Sequence, residues 1–378
     1  MTSPYDVIVV GLGAMGSATA YHLAARGQRV LGIDQYKPPH AMGSSHGESR
    51  IIRQVYYEHP LYVPLVQRAH ELWRKLEKDS NTPGLLTVTG GLMLGRESSG
   101  LIKGARRAAA EFSLPCEEIR HDQLQDRFPP FMPLSGMKAL FDPAAGFLDP
   151  ERCIAAHIGL AVQHGATIQV NERVLGWMAT PGGGVKVRTT QGTYEAGRLV
   201  LTAGPWMHEL LGAMGPTLNV ERQTLVWFEL PGDRAMWEPS RFPVFLCEFE
   251  DGQLVYGFPV SKRGWKVAVH YEGEPVPDVR EMRRTIEPHD IARVRTAVAR
   301  LFGWVADANV LDAAVCPYTD TLDLRFVIDV LPGMPQVLIS SPCSGHGFKF
   351  ASAIGELQAA MVIDGHCAFD LSPFRLDR

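Results

Sequence analysis

The sequence predicts a mixed α/β (α+β) fold, with a nucleotide-binding unit built on a parallel sheet interleaved with a second, antiparallel-sheet domain. Three observations predict it. Tyr5 to Gln35 reads as strand, glycine turn, helix, strand and acid, the order of a βαβ unit. The middle of the chain is a succession of short β-rich segments separated by turn signals. A strand of the buried, parallel type returns at Arg198 to Gly204, so the first unit is expected to be discontinuous. At 378 residues the chain is also too long for one simple core.

Val7 to Val10 is a short apolar run rich in β-branched residues, the form of a strand buried on both sides. Gly11, Gly13 and Gly16 follow in G-x-G-x-x-G spacing, and a helical segment from Ser17 to Arg26 stops at Gly27. Val30 to Ile33 is a second buried strand, closed by Asp34. In such a unit one glycine makes the tight turn, one lets backbone approach a pyrophosphate, and one brings helix against strand. The diphosphate would rest on free N–H groups at the helix N-terminus. Asp34 is placed to accept hydrogen bonds from an adenosine ribose. The unit does not by itself distinguish NAD from FAD.

Composition narrows the class. A formal net charge of −4 offers no basic face, so nucleic acid is not expected as a partner. Gly11 interrupts the N-terminal apolar run, and no stretch approaches a membrane span, so no membrane association and a cytoplasmic location are expected. The C-terminal Arg375-Leu376-Asp377-Arg378 is no peroxisomal address. Six cysteines, Cys116, Cys153, Cys247, Cys316, Cys343 and Cys367, include no C-x-x-C pair. They suit neither a zinc site nor a disulfide framework, and no metal is expected.

After Asp34 the loop Pro38 to Gly47 carries His40 and His46. Arg50 and Arg53, three apart, would share one face of a helix or turn. Together they could clamp a carboxylate or phosphate, or simply form a solvated basic face. An amphipathic helix follows from Leu61 to about Lys78. Residues 85 to 145 alternate strands with a helix near Ile102 to Phe112 and a proline-rich segment, Pro129 to Pro133. Asp149-Pro150-Glu151 starts a helix that runs to His164. A meander of Arg173 to Ala179, Val185 to Thr189 and Thr193 to Ala196 leads into the returning strand. From Leu218 to Tyr271 strands dominate, with a hairpin around Glu250 to Gln253. In Trp265 to Tyr271, period two sets Lys266, Ala268 and His270 opposite the large apolar residues; that side is either solvated or looks into a site. A helix is expected from His289 to Phe302, then strands at Phe326 to Asp329 and Val337 to Ser340. Ser344 to Phe350 opens a long helix, Ala351 to Ile363. The glycines around His346 and Lys349 there predict another anion-facing N-terminus.

These stretches together resemble the monomeric sarcosine oxidase and N-methyltryptophan oxidase family, within the D-amino-acid-oxidase-like flavoproteins. The resemblance covers nearly the whole chain. Its carriers are VIVVGLGAMGS with Asp34, the PPH and GS-x-HG-x-x-R-x-x-R stretch, YGFP at Tyr256 to Pro259, and Lys266-x-x-x-His270. Cys316-x-Tyr318-Thr319, Phe326-x-Ile328-Asp329 and SGHGFKFAS at Ser344 to Ser352 complete the set. The chain departs from the family at Ser45, where the members carry a histidine.

The resemblance implies FAD, bound by a Rossmann-like domain (1–84, 146–217 and 318–378), and a substrate domain on an antiparallel sheet (85–145 and 218–317). It implies cofactor contacts from Gly11, Gly13, Gly16, Asp34, Gln35, Ser44, His46, Arg50, Val174, Gly345, Gly347, Phe348 and Lys349. Cys316 resembles the cysteine that forms a thioether to the flavin 8α-methyl carbon. Lys266 resembles the lysine that faces the flavin and promotes its reaction with oxygen, a charge-stabilising role. Arg53 and Lys349 match the pair that holds the substrate carboxylate. His270, Tyr256, Tyr318, Gly345 and His346 match the substrate cavity and its floor, and Lys266, His270, Arg50 and Tyr318 are the expected catalytic set. Leu246 and Val260 to Arg263 would shape the room for a substrate side chain.

The implied activity is oxidation of a secondary amino acid, with sarcosine, oxygen and water giving glycine, formaldehyde and hydrogen peroxide. Alternatives are N-methyltryptophan, pipecolate, proline or a glycated amino acid, or a flavin dehydrogenase that passes electrons to a partner. A monomer is implied.

Overall fold

The strand Tyr5–Val10 ends in four fully buried residues and lies inside an eight-stranded sheet. Val30–Ile33 flanks it on one side and Thr193–Leu201 on the other, both parallel to it. Thr167–Gln169 extends the sheet past Val30–Ile33, and Val337–Ser341 joins it beside Thr193–Leu201, again parallel. Strands from both ends of the chain and from its middle therefore share one sheet. The computed structural model describes residues 5–132 and 134–378; Pro133, at the end of the expected proline-rich segment, lies outside them.

The helix Ala14–Ala25 has a buried surface nearly all round because it is wedged against Pro150–Gln163 and Ala351–Asp364. Its composition is accordingly small and apolar rather than amphipathic. The opposite case is Val63–Asp79, whose Val63, Val66, Ala69, Trp73 and Leu76 form one buried stripe.

One expectation of the strand order is corrected here. The third meander strand and the returning strand are a single element, Thr193–Leu201. Its first half pairs antiparallel with Val185–Thr189, and its second half pairs parallel with Tyr5–Val10. Gly197, between the two expected ranges, lies within the continuous strand, which has neighbours on both sides.

The second sheet has nine strands. Gly91–Arg96 and Met137–Asp142 join Leu218–Phe228, Val244–Glu248, Leu254–Gly257, Trp265–His270 and Val310–Thr321 in it. All the named pairings are antiparallel except Val244–Glu248 beside Gly91–Arg96. On one side Trp265, Val267 and Val269 enter an aromatic core with Phe131, Trp237, Phe242, Phe245 and Phe302. Trp265 meets Phe302 edge-on at 4.8 Å and Phe131 stacks on Phe242 at 4.9 Å; such pairs add roughly 0.5–1.5 kcal/mol each beyond their buried area. The solvated alternative for Lys266, Ala268 and His270 is overturned, since all six residues of Trp265–His270 are buried.

Arg50 and Arg53 do not share a helical face. Arg50 opens the extended strand Arg50–Ile52, which pairs with Gly146–Leu148 in a small third sheet. Both side chains turn inward rather than to solvent, into a cavity between the two large sheets.

Candidate active site

The cavity runs from Asp34, Gln35, Val174 and Trp206 at one end to Glu58, His270 and Lys349 at the other. Its empty volume is about 1750 Å³, part of it open to solvent. At the first end the glycine turn fits a dinucleotide. Gly11 has φ +88°, and a Cβ there would lie 2.7 Å from the Thr202 carbonyl oxygen. A Cβ on Gly16 would lie 1.8 Å from the Gly11 oxygen, so this glycine seats helix against strand and stays off the cavity wall. Gly13 differs: its nearest neighbour would be the Ser45 hydroxyl at 3.9 Å, leaving backbone open to the cavity. Those are the three roles a pyrophosphate-binding turn requires. Asp34 accepts from the Leu12 N–H at 2.7 Å and the Tyr36 N–H at 2.9 Å, which fixes its carboxylate at the cavity edge. Ser45 therefore stands at the turn, and the departure from the family pattern falls at the diphosphate end.

Midway along the cavity, Cys316 is buried with Arg50 beside it. The guanidinium donates to the Cys316 sulfur at 3.4 Å, to the Ser44 carbonyl at 2.6 Å and to the Ser49 carbonyl at 2.8 Å. Negative charge forming on that sulfur would meet a fixed cation. His46 lies behind this group, off the cavity wall, with Nε2 buried and without a partner among the described residues. Burial, Arg50 and Lys266 push its pKa down to about 3, so the ring is neutral.

At the far end Arg53 is fully buried between the rings of Tyr56 and Tyr57, 4.2 and 4.5 Å from their centroids. Its Nη2 donates to both oxygens of Glu58 at 2.5 and 2.6 Å, while its Nε has no acceptor among the described residues. Burial would raise the Glu58 carboxyl, but Arg53 outweighs it and holds the group down to about 2. Lys349 donates to the His346 carbonyl at 2.6 Å. Burial, helped by Arg53, pushes Lys349 down to about 7.

The rest of this end is neutral. His346 Nε2 faces the Leu324 carbonyl at 3.2 Å, and a carbonyl only accepts, so Nε2 carries the proton. Nδ1 then accepts from the Tyr56 hydroxyl at 2.6 Å. His270 Nδ1 lies 3.1 Å from the Tyr318 hydroxyl, and Tyr318 is hydrogen-bonded to Tyr256. Burial lowers His270 to about 3 and His346 to about 4. Gly345 allows this packing, since a Cβ there would meet the Tyr318 ring at 2.7 Å and the His270 ring at 2.9 Å.

Lys266 is close to the cavity without lining it. Its Nζ donates to the carbonyls of Gly47 and Ser49 at 2.6 and 2.8 Å and to Ser49 Oγ at 3.2 Å. Burial and Arg50 lower its pKa, while Cys316, Glu151 and Glu48 act the other way.

Of the expected site residues, Gly11, Gly13, Asp34, Gln35, Ser44, Arg50, Arg53 and Val174 all line this one cavity. Tyr256, His270, Cys316, Tyr318, Gly345, His346, Gly347, Phe348 and Lys349 line it too. Gly16, His46 and Lys266 stand behind its wall. Sequence reasoning missed Glu58, Tyr56, Glu48 and Glu151. Glu58 alone left a signal, an acid closing the otherwise apolar and aromatic Val55-Tyr56-Tyr57 run.

The sequence model of the FAD dependent oxidoreductase family matches residues 6–361. A monomeric sarcosine oxidase of Streptomyces avermitilis is 38% identical over 378 residues, spanning 99% of this chain and 97% of that protein. An N-methyl-L-tryptophan oxidase of Yersinia pestis is 35% identical over 381 residues, spanning 99% of each. Among solved structures, NikD, described as an unusual amino acid oxidase essential for nikkomycin biosynthesis, superposes with a TM-score of 0.84. It covers 99% of this chain and 98% of its own at 22% identity, a likeness of fold.

Proposed function

The chain belongs to the FAD dependent oxidoreductase family, as a flavin enzyme acting on CH–NH bonds with oxygen as acceptor, and from this premise we propose that its substrate is a small N-methyl amino acid, sarcosine first. The observation that carries the reading is the pair Arg53 and Lys349. Two cationic side chains line the far end of the cavity, and one buried Arg53 N–H has no acceptor among the described residues. A substrate α-carboxylate supplies that acceptor and satisfies both cations at once. FAD, when bound, would supply a two-electron oxidation in which a hydride equivalent leaves the carbon beside nitrogen and passes to oxygen, which with one further proton from solvent becomes hydrogen peroxide; the imine and water give glycine and formaldehyde.

The chain's own residues do the rest. Arg53 and Lys349 orient the substrate by its carboxylate. His270, Tyr318, Tyr256 and His346 are neutral, and Glu58, which lines the same end, is taken up by Arg53, so the nearby cations disfavour the amine's protonated form. Glu58 keeps Arg53 ordered while the carboxylate is absent. N-Methyl-L-tryptophan is the second reading, favoured by the relative at 35% identity. Anaerobic mixing with sarcosine, N-methyl-L-tryptophan and pipecolate, followed by flavin bleaching, should show sarcosine fastest. Silence with every secondary amino acid would sink the reading.

A thioether between Cys316 and the flavin 8α-methyl carbon is part of the same proposal, supported by the Arg50 contact to sulfur. After acid precipitation the yellow colour should stay with the protein pellet, and in Cys316→Ser it should pass to the supernatant. Colour released from the wild type would contradict the link. A monomer in solution fits the relatives' description, and among the described residues no helix is long and apolar enough to cross a membrane.

A further inference from the structure

The turn that holds Lys266 is itself held from behind. Gly47 has φ +90° and Glu48 φ +66°, and the Ser49 N–H donates to the Gly47 carbonyl at 2.8 Å, a tight turn that leaves the N–H groups of Gly47 and Glu48 on one side, open to an anion. The anion in it is the Glu151 carboxylate, which accepts from Gly47 N–H at 2.6 Å and from Glu48 N–H at 3.3 Å. Glu151 stands in the first turn of Pro150–Gln163, a helix begun by the Asp149 cap, so a rigid element presents it. The Glu48 side chain adds a second tether, accepting from Trp227 Nε1 at 3.0 Å and Ser261 Oγ at 2.8 Å.

The N–H of Glu48 and the carbonyl of Gly47 belong to one peptide group. Its N–H end donates to Glu151 and its oxygen accepts from Lys266 at 2.6 Å. A carboxylate and an amine thus sit at the two ends of one peptide dipole. A side chain at residue 47 would disturb the arrangement, since a Cβ on Gly47 would lie 2.9 Å from Leu225 Cδ1 and 3.8 Å from Lys266 Nζ.

We propose that Glu151 is a positioning residue for the oxygen half-reaction: it fixes the Gly47–Ser49 turn, and the carbonyls of that turn fix Lys266. The inference rests on the reading that Lys266 serves reaction with oxygen. Glu151→Gln keeps an acceptor of the same shape and removes the charge. The charged and titratable groups facing Lys266 are Arg50, His46, Cys316, Glu48 and Glu151. Losing the Glu151 charge leaves the cationic influences less opposed, so Lys266 gives up its proton at lower pH.

The test compares wild type and Glu151→Gln holoenzyme whose flavin has been reduced photochemically, so that no amine substrate is needed. Reoxidation by oxygen is expected to slow about tenfold at pH 8, the scale of one lost charge-assisted hydrogen bond. Its alkaline fall-off should move to lower pH. Hydrogen exchange of the peptide carrying Gly47 and Glu48 should quicken about tenfold on the same reasoning. Anaerobic reduction by sarcosine should stay within about twofold, because Glu151 touches neither Arg53 nor Lys349. Unchanged reoxidation and pH profile would overturn the proposal, as would equal slowing of both half-reactions. If Glu151→Gln does not accumulate folded, Glu151→Asp carries the test; it keeps the charge, so it should slow reoxidation with an unmoved pH profile, and wild-type reoxidation in it would overturn the proposal. Failure of every secondary amino acid to bleach the flavin would count against the substrate reading and leave this measurement intact.

Discussion

Lys266→Met is expected to slow reoxidation of the reduced protein by oxygen at least about 100-fold, the scale on which one preorganised donor at a developing anion acts. Anaerobic reduction by the amine should change only a few-fold. The asymmetry follows from position. Lys266 lies behind the wall with its nitrogen on the Gly47 and Ser49 carbonyls, whereas Arg53 and Lys349, proposed to hold the substrate carboxylate, stand at the far end of the cavity. The large barrier effect is confined to the step in which charge grows on oxygen. Stopped-flow measurement of the two half-reactions separates them, and wild-type reoxidation in Lys266→Met would remove this residue from the oxygen step.

Arg53→Met should damage the protein twice. It removes the proposed carboxylate partner, which is expected to lower kcat/KM by about 100-fold or more, the cost of truncating one member of a buried charged pair. It also takes from Glu58, a largely buried carboxylate, the partner that holds its charge and leaves it only the weaker cation Lys349, and breaking a pair of this kind destabilises by up to about 3–5 kcal/mol. The double variant Arg53→Met/Glu58→Gln should recover most of the stability and little of the substrate affinity. Denaturant unfolding and substrate titration distinguish the two losses. The pH dependence gives an independent sign. In the wild type Lys349 loses its proton near pH 7, so affinity for a carboxylate should fall as pH rises through that value. Without Arg53, a neighbouring cation is gone and Glu58 is free to pair with Lys349, so the fall should move to higher pH. A fall at unchanged or lower pH would contradict the role given to Lys349.

Much of this architecture was legible because its signals are local. The Gly11, Gly13 and Gly16 spacing reports backbone approaches within one turn, and the three glycines take three different surroundings as that spacing requires. The hairpin at Glu250 to Gln253 and the helix after Asp149-Pro150 carry their turn and cap chemistry in adjacent residues. What was not legible depends on partners far away. Arg50 reads as helical by its distance from Arg53, but pairing with Gly146–Leu148 makes it a strand. Lys266 on an alternating strand reads as solvated until Gly47 and Ser49, over two hundred residues earlier, supply its acceptors. Glu151 is an ordinary acid in a first helical turn, and only its meeting with two left-handed residues gives it a further role. The Arg53–Glu58 pair is close in sequence, yet its importance comes from burial that neither residue type predicts.

The strand Val337–Ser341 completes the parallel sheet beside Thr193–Leu201, and the cavity wall includes residues from Val10 to Lys349. A ribosome therefore delivers the glycine turn first and its opposite wall last. Until nearly the whole chain has emerged, the nascent protein has half a binding site and a parallel sheet lacking a member. Such long-range pairings form slowly, and the incomplete sheet edge is exposed meanwhile. The cofactor site is complete only when strands and loops from Val10 to Lys349 have come together, and a bound cofactor would then stabilise the folded chain by mass action. The folded yield is therefore expected to rise with flavin supply, which expression with and without added riboflavin checks.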